Sequence, residues 1–207
     1  MALLNEADRK RIEGAIADVE KRTAGEIVVA CLGRSDDYVG PRLVFAALGA
    51  LVLATAAHLV WLDVDATWFL GMQVPAALLL WWVFGIPGLL RTMLSGPYRS
   101  QAVERRAERL FLERGIFDTR DRSGVLILIS ELEHRAVILG DKGIHERVHT
   151  DGWQKHIQHI GQAIRAGRPA DGVCEVIGEL GEILARDFPV REDDTNELPN
   201  AVIDQER

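Results

Sequence analysis

Residues 145–149 read His-Glu-Arg-Val-His. Two histidines at this spacing lie one helical turn apart and can hold zinc, with the Glu between them serving as general base. Gly152 falls where an extended metallopeptidase pattern places a glycine, but the third ligand is out of phase. The pattern asks for a ligand at the position of Lys155, whereas His156 comes one residue late and is turned by about 100° on a helix. No methionine follows Met93, which excludes a downstream Met-turn. Thr150-Asp151-Gly152 reads as a helix break with a new N-cap. His145 and His149 are then left on a short surface helix capped by Asp141. Two readings stay open: a coincidental surface pair, or a weak zinc site that draws in His156 or His159.

Oxygen ligands for a hard cation come from two other groups. Asp36 and Asp37 follow one apolar strand, and Glu131, Glu133 and His134 follow another. If the two strands run parallel, these groups meet at one end of a sheet, where α/β proteins form ligand sites. Asp36, Asp37, Glu131 and Glu133 are the candidate set for calcium or magnesium, with solvated loops as the alternative. Asp118, Asp121 and Asp141 would gather at the opposite end, interleaved with Arg120, Arg122 and Lys142 that would pair with them. There is no Gly-rich phosphate loop, no motif around either cysteine and no serine in a nucleophile elbow.

The elements that position these groups alternate between helical and strand periods. Asn5 with Asp8 starts a helix carrying Ile12, Ala15, Ile16 and Val19, which ends near Thr23. Glu26 to Leu32 is apolar on both faces, as a central strand covered from two sides must be. An amphipathic helix runs from about Gln101 to Arg114, with Gly115 as its cap. Val125 to Ser130 and Ala136 to Leu139 are two further strands, and the link 131–134 is too short for anything but an antiparallel hairpin. The first two strands are joined by a long helical connection and should be parallel. Two more helices follow, one with Trp153, Ile157, Ile160 and Ile164 in register, the other opening at Pro169 and carrying Val173 to Leu184. Together they predict an α/β/α sandwich with a small mixed sheet.

Between Arg42 and Arg91 the chain has no Lys, Arg or Glu, and Asp63 and Asp65 divide it into the apolar runs 43–62 and 66–90. Each is long enough to cross a hydrocarbon core of about 30 Å as a helix, so the sandwich is interrupted by a two-helix transmembrane hairpin. Pro75 should kink the second span and Pro87 end it. Trp61 and Trp68 flank the turn as an interfacial belt would. Lys21, Arg22, Arg34 and Arg42 precede the hairpin, Arg91, Arg99, Arg105, Arg106 and Arg109 follow it, and the turn has no basic residue. The positive-inside rule places both termini in the cytoplasm. The expected organisation is one discontinuous cytoplasmic domain over 1–40 and 95–190, the hairpin over 41–94, and an acidic disordered tail over 191–207. With 24 basic against 31 acidic residues and a net charge of -7, the chain is ill suited to nucleic acid. Cys31 and Cys174 lie in apolar patterns and are expected to be reduced.

Gly25-Glu26-Ile27-Val28-Val29, the segment 117–130 (Phe-Asp-Thr-Arg-Asp-Arg-Ser-Gly-Val-Leu-Ile-Leu-Ile-Ser) and the segment 136–145 (Ala-Val-Ile-Leu-Gly-Asp-Lys-Gly-Ile-His), in this order, resemble the TPM domain family. The likeness is to its membrane-anchored bacterial branch, with a hairpin inside the domain. It covers nearly the whole chain outside the acidic tail. The resemblance implies an α/β sandwich and an inner (plasma) membrane location. For some relatives it implies divalent metal sites in loops, a weak phosphatase activity and roles in the repair of membrane complexes. The chain departs from soluble relatives at Arg122-Ser123-Gly124 and at Gly140-Asp141-Lys142-Gly143-Ile144, where basic residues enter the neighbourhood of such a site. The resulting expectation is a non-enzymatic accessory or maintenance factor, with the lipid bilayer and a membrane protein as partners. A divergent metal-dependent phosphatase and a zinc metallopeptidase are the alternatives.

Overall fold

Every residue of strand β1 (Glu26–Leu32) and of β2 (Gly124–Ser130) is buried, as their unbroken apolar runs require. The two pair in parallel, Glu26 opposite Gly124 and Leu32 opposite Ser130. Strand β3 (Arg135–Gly140) returns antiparallel to β2, with Val125 opposite Gly140. The computed structural model describes residues 3–60, 65–147, 153–191, 193 and 195–205. His149, the break at 150–152, Trp61 and residues 62–64 of the expected membrane turn lie outside the described residues. The described chain divides into two units, 1–35 with 100–207, and 36–99.

In the first unit, α1 (Glu6–Glu20) starts at Asn5, whose side chain accepts from the backbone of Asp8 while the Asp8 side chain accepts from the backbone of Asn5. This reciprocal cap satisfies two N–H groups that a helix start would leave open. The inward face of the sheet, Ile27, Val29, Cys31, Val125, Ile127, Ile129 and Ile138, packs with Ile12, Ile16 and Val19 of α1. It also packs with Trp153 and Ile160 of α7 (Trp153–Arg165), and with Val173, Val176, Ile177, Leu180 and Leu184 of α8 (Pro169–Asp187). Helix α1 approaches α8 closely at Gly181, where an added Cβ would lie 2.5 Å from a Val19 methyl. The other face, Val28, Ala30, Leu32, Leu126 and Leu128, is covered by Val103, Ala107 and Leu110 of α5 (Gly96–Glu113) and by Ile116 in the short 3-10 turn after it. Helices thus lie on both faces of a mixed sheet, as expected. The two cysteines are free.

The described part of the acidic tail, expected from its composition to be disordered, lies against the sheet. It contributes a fourth strand, β4 (Ile203–Gln205), parallel to β1 with Ala30 opposite Ile203, so the sheet order is β3-β2-β1-β4. Leu198 and Ile203 pack on the outer core, Arg9 pairs with Asp204, and Glu13 accepts from the backbone N–H of Val202 at 3.2 Å. Low mean apolarity disfavours order only when the polar groups lack partners. Here they are matched by charges and acceptors on distant elements.

The second unit holds α2 (Val39–Val60), α3 (Ala66–Val83) and α4 (Pro87–Met93). Helices α2 and α3 meet along a seam of small residues, Ala46, Ala50 and Ala54, with Phe45 edge-on to Phe84 at 6.4 Å and His58 edge-on to Phe69 at 5.9 Å. Small seams let helices pack without a water-driven hydrophobic force. Helix α2 is long and apolar enough to cross a membrane alone, the only such helix among the described residues. The second run does not form one straight helix to residue 90. Helix α3 stops at Val83, and α4 leaves at 101° to it. Pro87 therefore opens a new helix at its first turn, where its missing N–H is harmless. Pro75 sits inside α3.

Candidate functional site

Three of the four carboxylates proposed as a cation set, Asp36, Glu131 and Glu133, accept hydrogen bonds from the protein. Asp36 and Asp37 are exposed at the start of the second unit, and Asp36 Oδ1 accepts from the Tyr38 N–H at 2.9 Å in a local turn. Glu131 accepts from the backbone of Leu3. Glu133 is buried in the turn between β2 and β3, where one oxygen accepts from the Ser35 N–H at 3.1 Å and the other from the Ser130 hydroxyl. Ser130 in turn accepts from the Ser35 hydroxyl at 2.7 Å. Glu133 thus fastens the exit of β1 to the exit of β2. No group of three or more His, Cys, Asp or Glu side chains among the described residues is placed to hold a metal ion.

At the other end of the sheet, arginines meet the aspartates. Arg191 donates to Asp121 at 2.6 Å, Arg120 to Asp193 at 2.8 Å, and Arg122 lies 3.7 Å from Asp141. Two of these three pairs are made with the tail, a partner that local interleaving did not suggest. Asp141 also accepts from the Lys142 N–H at 2.7 Å, capping α6 (Lys142–Arg147) as expected.

The histidines part company. His145 is exposed on α6, and its Nδ1 donates to the Asp141 carbonyl at 3.1 Å. His156, 2% exposed, is buried against α8, where its Nδ1 donates to Glu179 at 2.6 Å. His159 pairs with Glu175 at 2.5 Å, one turn further along the same two helices. Trp153 points into the core, as expected.

Residues with no part in the sequence-based site expectations line a cavity of the first unit. It has a volume of about 330 Å³ and is lined by Glu20, Thr23, Glu26, Arg191, Asn196 and Asn200, among others. Glu20 closes α1 and Glu26 opens β1, and the two carboxyls lie near enough for the charge of one to oppose that of the other. Burial, then the charge of Glu26, pushes the Glu20 carboxyl up to about 7. Backbone and side-chain donors pull the other way: Ile27 N–H at 3.3 Å and Asn200 Nδ2 at 2.6 Å to Glu20. Glu26 accepts from the Glu197 N–H at 3.0 Å. The arrangement clasps the tail over two neighbouring carboxyls, of which Glu20 is held near neutrality. A signal was present in the sequence: Glu20 sits at the negative pole of its helix, where acids are disfavoured, and Glu26 begins a strand with no exposed face.

The sequence profile of the TPM domain matches residues 91–183. The NMR structure of BA42 protein from the psychrophilic bacterium Bizionia argentinensis is similar in fold, with 24% identity and a TM-score of 0.61, over 98% of this chain and 95% of that one. No curated protein matches the chain. The sheet between helical layers is the architecture of an α/β sandwich. The profile match places a TPM domain in residues 91–183, within that sandwich.

Proposed function

We propose that this protein is a membrane-anchored TPM domain protein acting as a non-enzymatic accessory or maintenance factor for membrane protein complexes. The observation that carries the anchoring is the exposed surface of the second unit: Leu48, Val52 and Leu59 of α2, and Leu70, Val74 and Leu78 of α3, are all more than half exposed. Surfaces this apolar are stable against lipid and not against water. At about 1.5 Å per residue, the 22 residues of α2 and the 18 of α3 run for about 33 and 27 Å, close to the hydrocarbon thickness. A phosphatase reading would need a cation held by Asp36, Asp37, Glu131 and Glu133, yet Glu133 is already engaged by Ser35 and Ser130. A zinc peptidase would need His156 beside His145, yet His156 is tied to Glu179.

In cells expressing a variant with Cys31 and Cys174 replaced by Ser, a cysteine at position 64 should be labelled from outside by an impermeant maleimide, and one at position 121 should not. The reverse pattern would overturn the two-span topology. Crosslinking from exposed positions of the cytoplasmic unit should trap membrane proteins, and recovery of none would remove the accessory role.

A further inference from the structure

The second unit ends in an elbow whose construction says where it lies. Helix α3 turns tightly at Phe84-Gly85-Ile86, with the Gly85 N–H bonded to the Trp82 carbonyl and the Ile86 N–H to the Val83 carbonyl. Arg42, from the first turns of α2, closes this end of α3. Its Nη2 donates to the Trp81 carbonyl at 2.9 Å, and its guanidinium carbon lies 4.4 Å from the centre of the Trp81 ring. A Cβ at residue 85 would fall 2.6 Å from that Nη2, so glycine is what admits the cation. A guanidinium over the last carbonyls of a helix answers both its unpaired acceptors and its negative pole. Beyond the elbow, α4 runs nearly perpendicular to α3, with Ile86 48% and Leu89 36% exposed while Leu90 and Leu94 are buried.

These features conflict in any uniform medium. In hydrocarbon, the Arg42 charge would be costly. In water, Trp82 and Ile86 would be left bare, with Trp82 71% exposed. The headgroup level suits both, since a cation there meets phosphates while its apolar neighbours reach the acyl boundary. The described arginines of this unit, Arg42, Arg91 and Arg99, all belong to the segments flanking this end. Asp36 and Asp37 are the acidic groups beside them in sequence, and Asp36 is engaged with Tyr38. We propose that the α3–α4 elbow is a binding surface for anionic phospholipid, with α4 lying in the plane of the membrane surface and Arg42, Arg91 and Arg99 supplying the charge for the headgroup phosphates.

The proposal rests on the membrane-anchored reading above, and one experiment separates the two. The full chain is reconstituted in phosphatidylcholine vesicles containing either spin-labelled phosphatidylglycerol or spin-labelled phosphatidylcholine, and the lipid held at the protein is read by electron paramagnetic resonance. Phosphatidylglycerol should be selected by about fivefold, the scale of one basic residue at an anionic surface. Selection should fall toward parity in the Arg91→Gln, Arg99→Gln double variant and in high salt. Parity in the unaltered chain, or selection unchanged by the double variant, would overturn the proposal while leaving anchoring intact. A chain stripped from the vesicles by alkaline carbonate would defeat the anchoring, and the proposal with it.

Discussion

Replacing Glu20 by Gln should make the protein more stable at alkaline pH and leave it little changed in mild acid. The folded carboxyl titrates at about 7 against an ordinary value of 4.5, because burial and the neighbouring Glu26 both oppose its charge. A raised value means that the folded chain holds a proton the unfolded chain has already lost. The resulting stability is fully present below about pH 4.5 and disappears as pH rises through about 7. The gap, at about 1.4 kcal/mol per pH unit, caps the effect at about 3.4 kcal/mol. Glu20 is only part-buried, so solvent screening reduces this to about 1–2 kcal/mol. Gln is a neutral stand-in for the protonated acid. Its amide can donate to Glu26 while its oxygen accepts from Asn200, the bond now made at 2.6 Å. Thermal unfolding of the full chain in detergent, at pH 5 and pH 8, should show the variant level with the natural protein at the lower pH. At the higher pH it should melt about 2–6 °C above it. Equal pH dependence in the two proteins would refute the raised titration of Glu20, as would a variant that melts lower at pH 8.

Three further perturbations probe separate joints of the fold. Gly181→Val should cost about 1–3 kcal/mol by forcing α8 off Val19, read as a lowered urea midpoint with little change in m-value. Glu133→Ala should cost about 3 kcal/mol, because it strands the Ser35 N–H and the Ser130 hydroxyl in a buried turn; Glu133→Gln, which keeps an acceptor, should recover part of the lost melting temperature. Ending the chain after Phe188 should remove β4 and the clasp on Glu20 and Glu26, with faster amide exchange at residues 30–32 as the local readout.

Much of the sandwich could be read from its period. The runs 26–32 and 125–130 have no polar face, so both had to be central, and the four-residue link before β3 left only an antiparallel return. Asn5 with Asp8 stated the start of α1 correctly because a cap is written in adjacent residues. What escaped was whatever depends on a distant partner. The tail has the composition of a disordered segment, and its order comes from Arg9, Arg120, Glu13, Glu20 and Glu26, which no local window includes. The break at 84–86 was hidden for a related reason. Phe84-Gly85-Ile86 is as apolar as the helix before it, and hydropathy carries no information about a backbone turn that a cation from α2 holds in place. The nearness of Glu20 and Glu26 has no motif to mark it, because it arises only where the end of α1 meets the start of β1.

The position of the second unit within the sheet sets an order on biogenesis. Strands β1 and β2 are neighbours, yet the whole of 36–99 is synthesised between them, and the partner for the other edge of β1 arrives only with residues 203–205. During synthesis β1 therefore waits with both edges open while the two apolar helices of the second unit are made. An open apolar strand is an aggregation hazard, so a delay in making or packing 36–99 prolongs the vulnerable interval of the first unit. Under the anchoring proposed above, a hairpin that failed to insert would keep β2 from reaching β1 in register, and completion of the sheet would be coupled through the chain to membrane integration.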